Sequence, residues 1–124
     1  SAEGLASNLH YLEMEGRPIF KWAVRLIDGT VREVLTASGL EIKDIDALVL
    51  HQANARIMDA AAASLEIPRE KMAVNIDRYG NTSAASIPLA LDELWRDGQI
   101  HRGSRVMLCG FGAGLAWGTG LLQW

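Results

Sequence analysis

The sequence predicts an α/β fold, a mixed and mostly parallel sheet with helices on both faces. Three observations predict it. Segments with apolar residues at helical spacing alternate with short apolar runs, the pattern of crossover units on a parallel sheet. Two polar clusters, His51-Gln52-Ala53-Asn54 and Gly80-Asn81-Thr82-Ser83, fall where a strand or turn hands over to a helix. The last two apolar runs are close enough in sequence to pair as an antiparallel hairpin.

Taken in order, Ser1 to Glu13 carries little signal, although Leu9-His10-Tyr11-Leu12 has the composition of a short strand. Gly16-Arg17-Pro18 punctuates the chain, and proline suits the first turn of a helix. Ile19, Phe20, Ala23, Val24, Ile27, Val31, Val34 and Leu35 then recur at helical spacing, opposite Lys21, Arg25, Asp28 and Arg32. That is an amphipathic helix ending near Gly39. Ala47 to Leu50 is short and wholly apolar, as a buried parallel strand is. Asn54 to Leu65 is alanine-rich and predicts a helix, and Pro68 to Lys71 a turn. Met72-Ala73-Val74-Asn75-Ile76 alternates weakly and predicts a strand. A third helix is expected from Ala84 to Trp95, with Ser83 as its N-cap and Ile87, Leu91, Leu94 and Trp95 as its buried stripe. Asp97-Gly98 ends it, and Arg105 to Cys109 and Leu115 to Gln123 are the last strands.

The totals exclude several functions. A chain of 124 residues suits one domain. A net charge of −3 with no basic run leaves no footprint for nucleic acid or a membrane surface. The single cysteine cannot form an internal disulfide, which fits a reducing compartment. The chain starts at Ser1, without methionine or a signal-like apolar run, as a fragment would. Val106 to Trp124 carries no charge and spells Gly-x-x-x-Gly at Gly110/Gly114 and Gly114/Gly118, a membrane-helix packing motif. Its glycines are poor helix formers, so two short strands joined by a glycine turn describe it better.

The candidate chemistry sits in the polar clusters. His51 ends a buried strand at a strand-to-helix turn, although a lone histidine there is more often structural. Asn54 stands where asparagine caps a helix, and Asn81 where it makes a turn. Asn81 also begins an Asn-x-Ser pattern, with nothing to indicate secretion. Both clusters fall at the carboxyl-end crevice where open α/β sheets bind ligands, so His51 and Asn81 are expected to face one pocket. Gly110-Phe111-Gly112-Ala113-Gly114 is only loosely like a dinucleotide loop, since its third glycine is misplaced and no helix follows. Such a turn still brings backbone N–H groups close to a ligand oxygen. No metal site is expected, because His10, His51 and His101 lack ligand spacing with Cys109. Cys109 ends a strand among apolar neighbours and is expected to be a buried structural thiol.

Three runs carry a resemblance: His51-Gln52-Ala53-Asn54-x-Arg56, Gly80 to Pro88 through Asn81-Thr82-Ser83-Ala84-Ala85-Ser86-Ile87, and Phe111-Gly112-Ala113-Gly114-Leu115-Ala116-Trp117-Gly118. In order and at this spacing they resemble the C-terminal half of 3-oxoacyl-(acyl carrier protein) synthase III, a thiolase-like condensing enzyme. The match runs from Gly16 to Trp124. The resemblance implies a thiolase-like fold of which residues 1–124 are the C-terminal domain, αβαβα when complete, in a cytoplasmic homodimer. It implies fatty acid or polyketide synthesis by decarboxylative Claisen condensation of acyl-CoA with malonyl-acyl carrier protein. No cofactor is implied, since the coenzyme A thioester is a substrate.

By that resemblance His51 and Asn81 are the catalytic pair. Loss of carbon dioxide from a malonyl thioester leaves negative charge on the thioester oxygen, and two aimed N–H donors stabilise that enolate. Backbone at Gly112 and Ala113 supplies part of an oxyanion hole. Gly16, Phe20, Ala53 and Asn54 match positions along the pantetheine arm. Lys21 and Arg56 match basic positions near the tunnel mouth, where coenzyme A phosphates and the carrier protein approach. Ala63 and Ser64 stand where some bacterial members carry lysines, Arg17 replaces a common asparagine, and Ala113 replaces a common glycine. The family's nucleophilic cysteine lies in an N-terminal half that these residues do not include. Two other readings stay open: an acyltransferase of the same fold that does not condense, and a non-catalytic half that binds a carrier or partner subunit.

Overall fold

A computed structural model describes residues 1–7 and 16–124. The expected strand at 9–12 lies outside them. The chain runs through α1 (Ala2–Ala6), α2 (Gly16–Ser38), β1 (Ala47–Leu50), α3 (Ala55–Leu65), α4 (Ile76–Tyr79), α5 (Ser86–Arg96), β2 (Arg105–Gly112) and β3 (Ala116–Gln123).

Three strands make one mixed sheet in the order β1-β2-β3. β1 pairs parallel with β2, Leu48 opposite Met107 and Leu50 opposite Cys109. β2 pairs antiparallel with β3 from Arg105↔Gln123 to Gly112↔Ala116, so the expected hairpin is present. On the other edge of β1 a single parallel bridge joins Leu48 to Met72. The chain thus leaves β1 through α3 toward Met72 on one side, then returns through α5 to β2 on the other. Right-handed crossovers in opposite directions put their helices on opposite faces.

The packing follows that division. β1 is buried along its whole length, and its side chains alternate between two cores. Leu48 and Leu50 join Met107 and Cys109 under α2 and α3, which contribute Ala23, Ile27, Val31, Ile57, Met58 and Leu65. Ala47 and Val49 join Val106 under α5, which contributes Ala90 and Leu94. Each fully buried leucine or isoleucine contributes roughly 1.5–3 kcal/mol. The buried positions of α2 repeat every fourth residue, Ala23, Ile27, Val31 and Leu35, and all four are among the apolar positions read from the sequence. The helix ends as its glycine requires. Gly39 takes φ +68°, and the N–H groups of Gly39 and Leu40 reach back to Thr36 and Leu35, closing the last turn.

Three expectations are corrected. Met72 to Ile76 does not form a strand beyond the bridge at Met72, and Ile76–Tyr79 turns into α4. The Gln52 side chain is the reason. It is fully buried, its Nε2 donates to the carbonyls of Leu50 and Ala73 at 2.9 and 3.2 Å, and its Oε1 accepts the Asn75 N–H at 3.1 Å. Those groups would otherwise extend the ladder.

Ser83 does not cap the third helix. Ser83–Ala85 is a tight 3₁₀ turn and α5 begins at Ser86. With φ +52°, Ser83 is in the left-handed region and gives its N–H to Asn81 Oδ1 at 2.9 Å. The buried line of α5 is Ser86, Ala90 and Leu94, while Ile87 and Leu91 are half-buried and Trp95 is 45% exposed. Small residues face the sheet, and Trp95 instead packs against Trp124 with ring centroids 5.7 Å apart.

Candidate active site

The site forms where β1 and β2, running parallel, present their carboxyl ends between the two crossovers, the switch-point position that favours ligand binding. His51 follows β1 directly. Its N–H donates to the Cys109 carbonyl at 2.9 Å, continuing the ladder one step and fixing the backbone. Its half-buried ring is held on two sides. Nδ1 lies 2.7 Å from Ser86 Oγ, and Phe111 meets the ring edge-to-face, with centroids 5.4 Å apart and planes at 75°. The Ser86 hydroxyl also lies 2.8 Å from the Ser83 carbonyl oxygen. Nδ1 is therefore engaged and Nε2 is the ring nitrogen left for a ligand. Burial holds the imidazole pKa below its ordinary value, so the ring is neutral at pH 7.

Asn81 is exposed on the turn that faces His51. Gly80 at φ +67° starts that turn, and Asn81 Oδ1 closes it by accepting the Ser83 N–H. This is the turn role expected of asparagine. It also orients the amide, because a committed Oδ1 leaves the two Nδ2 hydrogens as the donors available to a ligand.

Two adjoining cavities meet here. The larger, about 650 Å³, is lined by Gly16, Arg17, Ile19, Phe20, Lys21, Ala53, Asn54, Arg56, Ile57, Asn81 and Phe111. The smaller, about 450 Å³, is lined by His51, Asn81, Ser83, Ala84, Ser86, Ile87, Gly110, Phe111, Gly112 and Ala113. Asn81 and Phe111 belong to both. The fold thus places Gly16, Phe20, Lys21, Ala53, Asn54 and Arg56 along one cavity, and His51, Gly112 and Ala113 along the other. His51 and Asn81 both line the smaller cavity, in keeping with the expectation that they face one pocket.

The larger cavity has a cationic rim. Arg17, Lys21 and Arg56 are exposed, and none of the described residues that line the cavity is a carboxylate. Arg56 stands over the Phe20 ring, 6.0 Å from its centroid, a contact that attracts a cation to the ring face. Asn54 caps α3, its Oδ1 accepting the Arg56 N–H at 2.9 Å. The capping alternative read from the sequence is therefore realised at the same residue that lines the cavity. Beside the smaller cavity, Gly112 is extended and Ala113 opens the turn completed by Gly114 at φ +75°.

Cys109 is fully buried. Burial raises its thiol pKa, and the Thr119 hydroxyl lies 3.3 Å from its sulfur. It is a packed thiol under the sheet, as its neighbours predict. Among the described residues no cluster of histidine, cysteine, aspartate or glutamate has the makings of a metal site.

Sequence reasoning missed the roles of Gln52 and Ser86 and left Phe111 without one. Gln52 holds the segment after Met72 against β1, and Ser86 holds the imidazole. The available signal was a glutamine directly after a buried strand, where a polar side chain must find partners. Nothing local marks Ser86, because its partner is 35 residues away.

Comparison with known proteins identifies the family and the fold. Residues 35–124 match the family model described as 3-oxoacyl-[acyl-carrier-protein (ACP)] synthase III C terminal. The beta-ketoacyl-[acyl-carrier-protein] synthase III of Rhodopirellula baltica is 53% identical over the whole of this chain, which spans 36% of that protein. A 3-oxoacyl-[acyl-carrier-protein] synthase III crystal structure from Aquifex aeolicus superposes with a TM-score of 0.91 at 46% identity, over 94% of this chain and 38% of its own. The priming beta-ketosynthase of the R1128 polyketide pathway superposes with a TM-score of 0.83 at 40% identity, over 89% of this chain and 33% of its own. The chain thus spans a little over a third of the length of the curated relatives it matches.

Proposed function

The chain belongs to the 3-oxoacyl-[acyl-carrier-protein] synthase III C-terminal family, and from that premise we propose that it serves a decarboxylative Claisen condensation between an acyl-CoA and malonyl-acyl carrier protein. One observation carries the reading: His51 and Asn81 line the same small cavity, and Asn81 and Phe111 connect it to a larger cavity with a cationic rim.

The mechanism follows from the atoms left available. A malonyl thioester entering through the larger cavity brings its carbonyl oxygen to the wall shared by His51 and Asn81. As the C–C bond to the carboxylate breaks, carbon dioxide leaves and the electron pair moves onto the thioester, making an enolate. His51 Nε2–H and Asn81 Nδ2–H stabilise the oxygen that gains charge, and the half-buried setting of His51 strengthens its share. The enolate carbon then attacks an acyl group held on a cysteine of the N-terminal half, and the tetrahedral oxyanion collapses as the C–S bond breaks and the cysteine thiolate leaves. Backbone N–H groups at Gly112 and Ala113 receive the oxyanion of that second step. Gly16, Phe20, Ala53 and Asn54 flank the pantetheine arm. Lys21 and Arg56, joined by Arg17, attract the coenzyme A phosphates or the acidic carrier protein.

In this reading residues 1–124 are a C-terminal domain, inactive alone for want of the nucleophile, in a cytoplasmic homodimeric enzyme of fatty acid or polyketide synthesis. No helix among the described residues is long and apolar enough to cross a membrane. The test is His51→Ala in the complete enzyme, with acyl loading and malonyl decarboxylation measured separately. Decarboxylation should fall by about 100-fold or more, the effect of losing one oxyanion donor, while loading persists. Equal loss of both steps would remove His51 from the enolate site.

A further inference from the structure

We propose that Glu93 is a positioning residue for Asn81: its carboxylate ties α4 to α5 and so fixes the turn from Gly80 to Ala85 that brings Asn81 to the cavity. The inference deepens the reading of Asn81 as an enolate donor and rests on it for its catalytic consequence. The tether itself stands on local geometry.

One oxygen of Glu93, Oε2, accepts two hydrogen bonds, from Asn75 Nδ2 at 3.1 Å and from Arg78 Nη2 at 2.8 Å. Asn75 stands just before α4 and Arg78 lies within it. Asn75 is only 2% exposed, so its amide needs a partner inside the protein. An ionised carboxylate is a stronger acceptor than a neutral one. The Asn75 backbone N–H is held in turn by Gln52, the neighbour of His51, at 3.1 Å. The start of α4 is therefore gripped by the segment that carries His51 and by α5.

The turn that follows cannot hold its own position. Gly80, Asn81, Ser83, Ala84 and Ala85 are exposed and Thr82 is half-buried. Its hydrogen bonds from Ser83 N–H to Asn81 Oδ1 and from Ala85 N–H to the Thr82 carbonyl lie within the turn, so they shape it without placing it. Its two ends place it. Gly80 N–H joins it to the Ile76 carbonyl of α4 at 2.8 Å, and Ser86, buried at the start of α5, holds the other end. No residue of α4 is fully buried, so packing alone fixes that end weakly and the Glu93 carboxylate supplies the tie. Glu93 also lies about two helical turns beyond Ser86, hence on nearly the same face of α5. Ser86 meets His51 Nδ1 at 2.7 Å. One face of one helix thus sets both His51 and Asn81.

The test is amide hydrogen exchange in the complete enzyme, comparing Glu93→Ala with the unsubstituted protein. Peptides covering 80–86 should exchange roughly tenfold faster, while the His51 amide, bonded to the Cys109 carbonyl in the sheet, keeps its protection. Unchanged exchange at 80–86 would overturn the proposal, and this readout needs no turnover. Should Glu93→Ala lose protection throughout, Glu93→Gln decides instead. It keeps an acceptor for Asn75 but not the charge facing Arg78, and a smaller, local loss is expected. Glu93→Ala should also lower the malonyl decarboxylation kcat roughly tenfold, the worth of one hydrogen bond, with acyl loading and KM little changed. In an Asn81→Asp background, where the donor is already gone, it should cost nothing more. An equal further loss there would make Glu93 a merely structural residue and overturn its positioning role. Faster exchange at 80–86 in an enzyme that performs no condensation would instead refute the proposed function and leave the tether standing.

Discussion

The amide of Asn81 has two ends with different tasks. Oδ1 holds the Ser83 N–H and so shapes the turn, while Nδ2 remains for the cavity. A single substitution separates the two. In Asn81→Asp the carboxylate still accepts the Ser83 N–H, so stability should change by less than about 0.5 kcal/mol in a thermal or denaturant melt. The donor is lost and a negative charge takes its place, so decarboxylation in the complete enzyme should fall by about 100-fold or more. A variant that decarboxylates normally would reduce Asn81 to a turn residue. Strain at neighbouring Ser83, with φ +52°, fits the same picture. A non-glycine residue in the left-handed region costs energy, and here it lies between Asn81 and Ser86, the residue in contact with the His51 ring.

Among the elements, the two crossovers differ in how they end. α2 and α5 close on glycine, Gly39 at φ +68° and Gly98 at φ +70°. α3 closes on Glu66 at φ +55°. The same pair of backbone bonds forms there, from Glu66 and Ile67 back to Ala63 and Ala62, without a residue suited to the conformation. Glu66→Gly should therefore stabilise the fold by roughly 0.5–1 kcal/mol, read as a higher denaturation midpoint with unchanged slope. Destabilisation would mean that Glu66 makes a compensating interaction. α3 is also clamped to α2. Ser64 Oγ donates to Asp28 at 2.8 Å, and Arg32 reaches both Asp28 and the Ser64 carbonyl. Arg32 beside Asp28 and the Ser64 hydroxyl hold the Asp28 carboxyl below its usual range, outweighing the upward push of burial. Ser64 is thus part of a clamp between the two helices whose first turns line the larger cavity.

At the scale of the whole molecule, the sheet is covered unevenly. β1 is buried on both faces, but β3 is an edge strand with much of its surface exposed. Leu115, Trp117 and Leu122 on this hairpin are 51%, 56% and 41% exposed. Beside them runs an open apolar groove of about 590 Å³ lined by Ile87, Leu108, Phe111 and Trp117. Exposed apolar surface of this kind marks an interface, and the curated relatives are nearly three times as long as this chain. In the proposed enzyme the remaining polypeptide covers it. The isolated chain should therefore bind an apolar dye and associate with itself, measured by sedimentation across a concentration series. A strictly monomeric, dye-silent chain would count against residues 1–124 being one domain of a two-half fold.

Much of this protein was determined by sequence alone. Apolar spacing set α2 with its buried face, the four residues of β1 and the closing hairpin, because these depend on neighbours within a turn or a strand. The order of three motifs was enough to suggest the family, and the expectation that His51 and Asn81 face one pocket matches the cavity both residues line. Tertiary structure decided what no local pattern encodes. It replaced the ladder expected after Met72 with the side chain of Gln52, since a buried amide must find partners and took those the strand would have used. It left Trp95 exposed, since small residues let α5 approach the sheet. It brought Ser86 to His51 across 35 residues and joined two cavities at Asn81 and Phe111. Those contacts follow from the direction of two crossovers around one strand, a property of the folded chain that periodicity along the sequence does not contain.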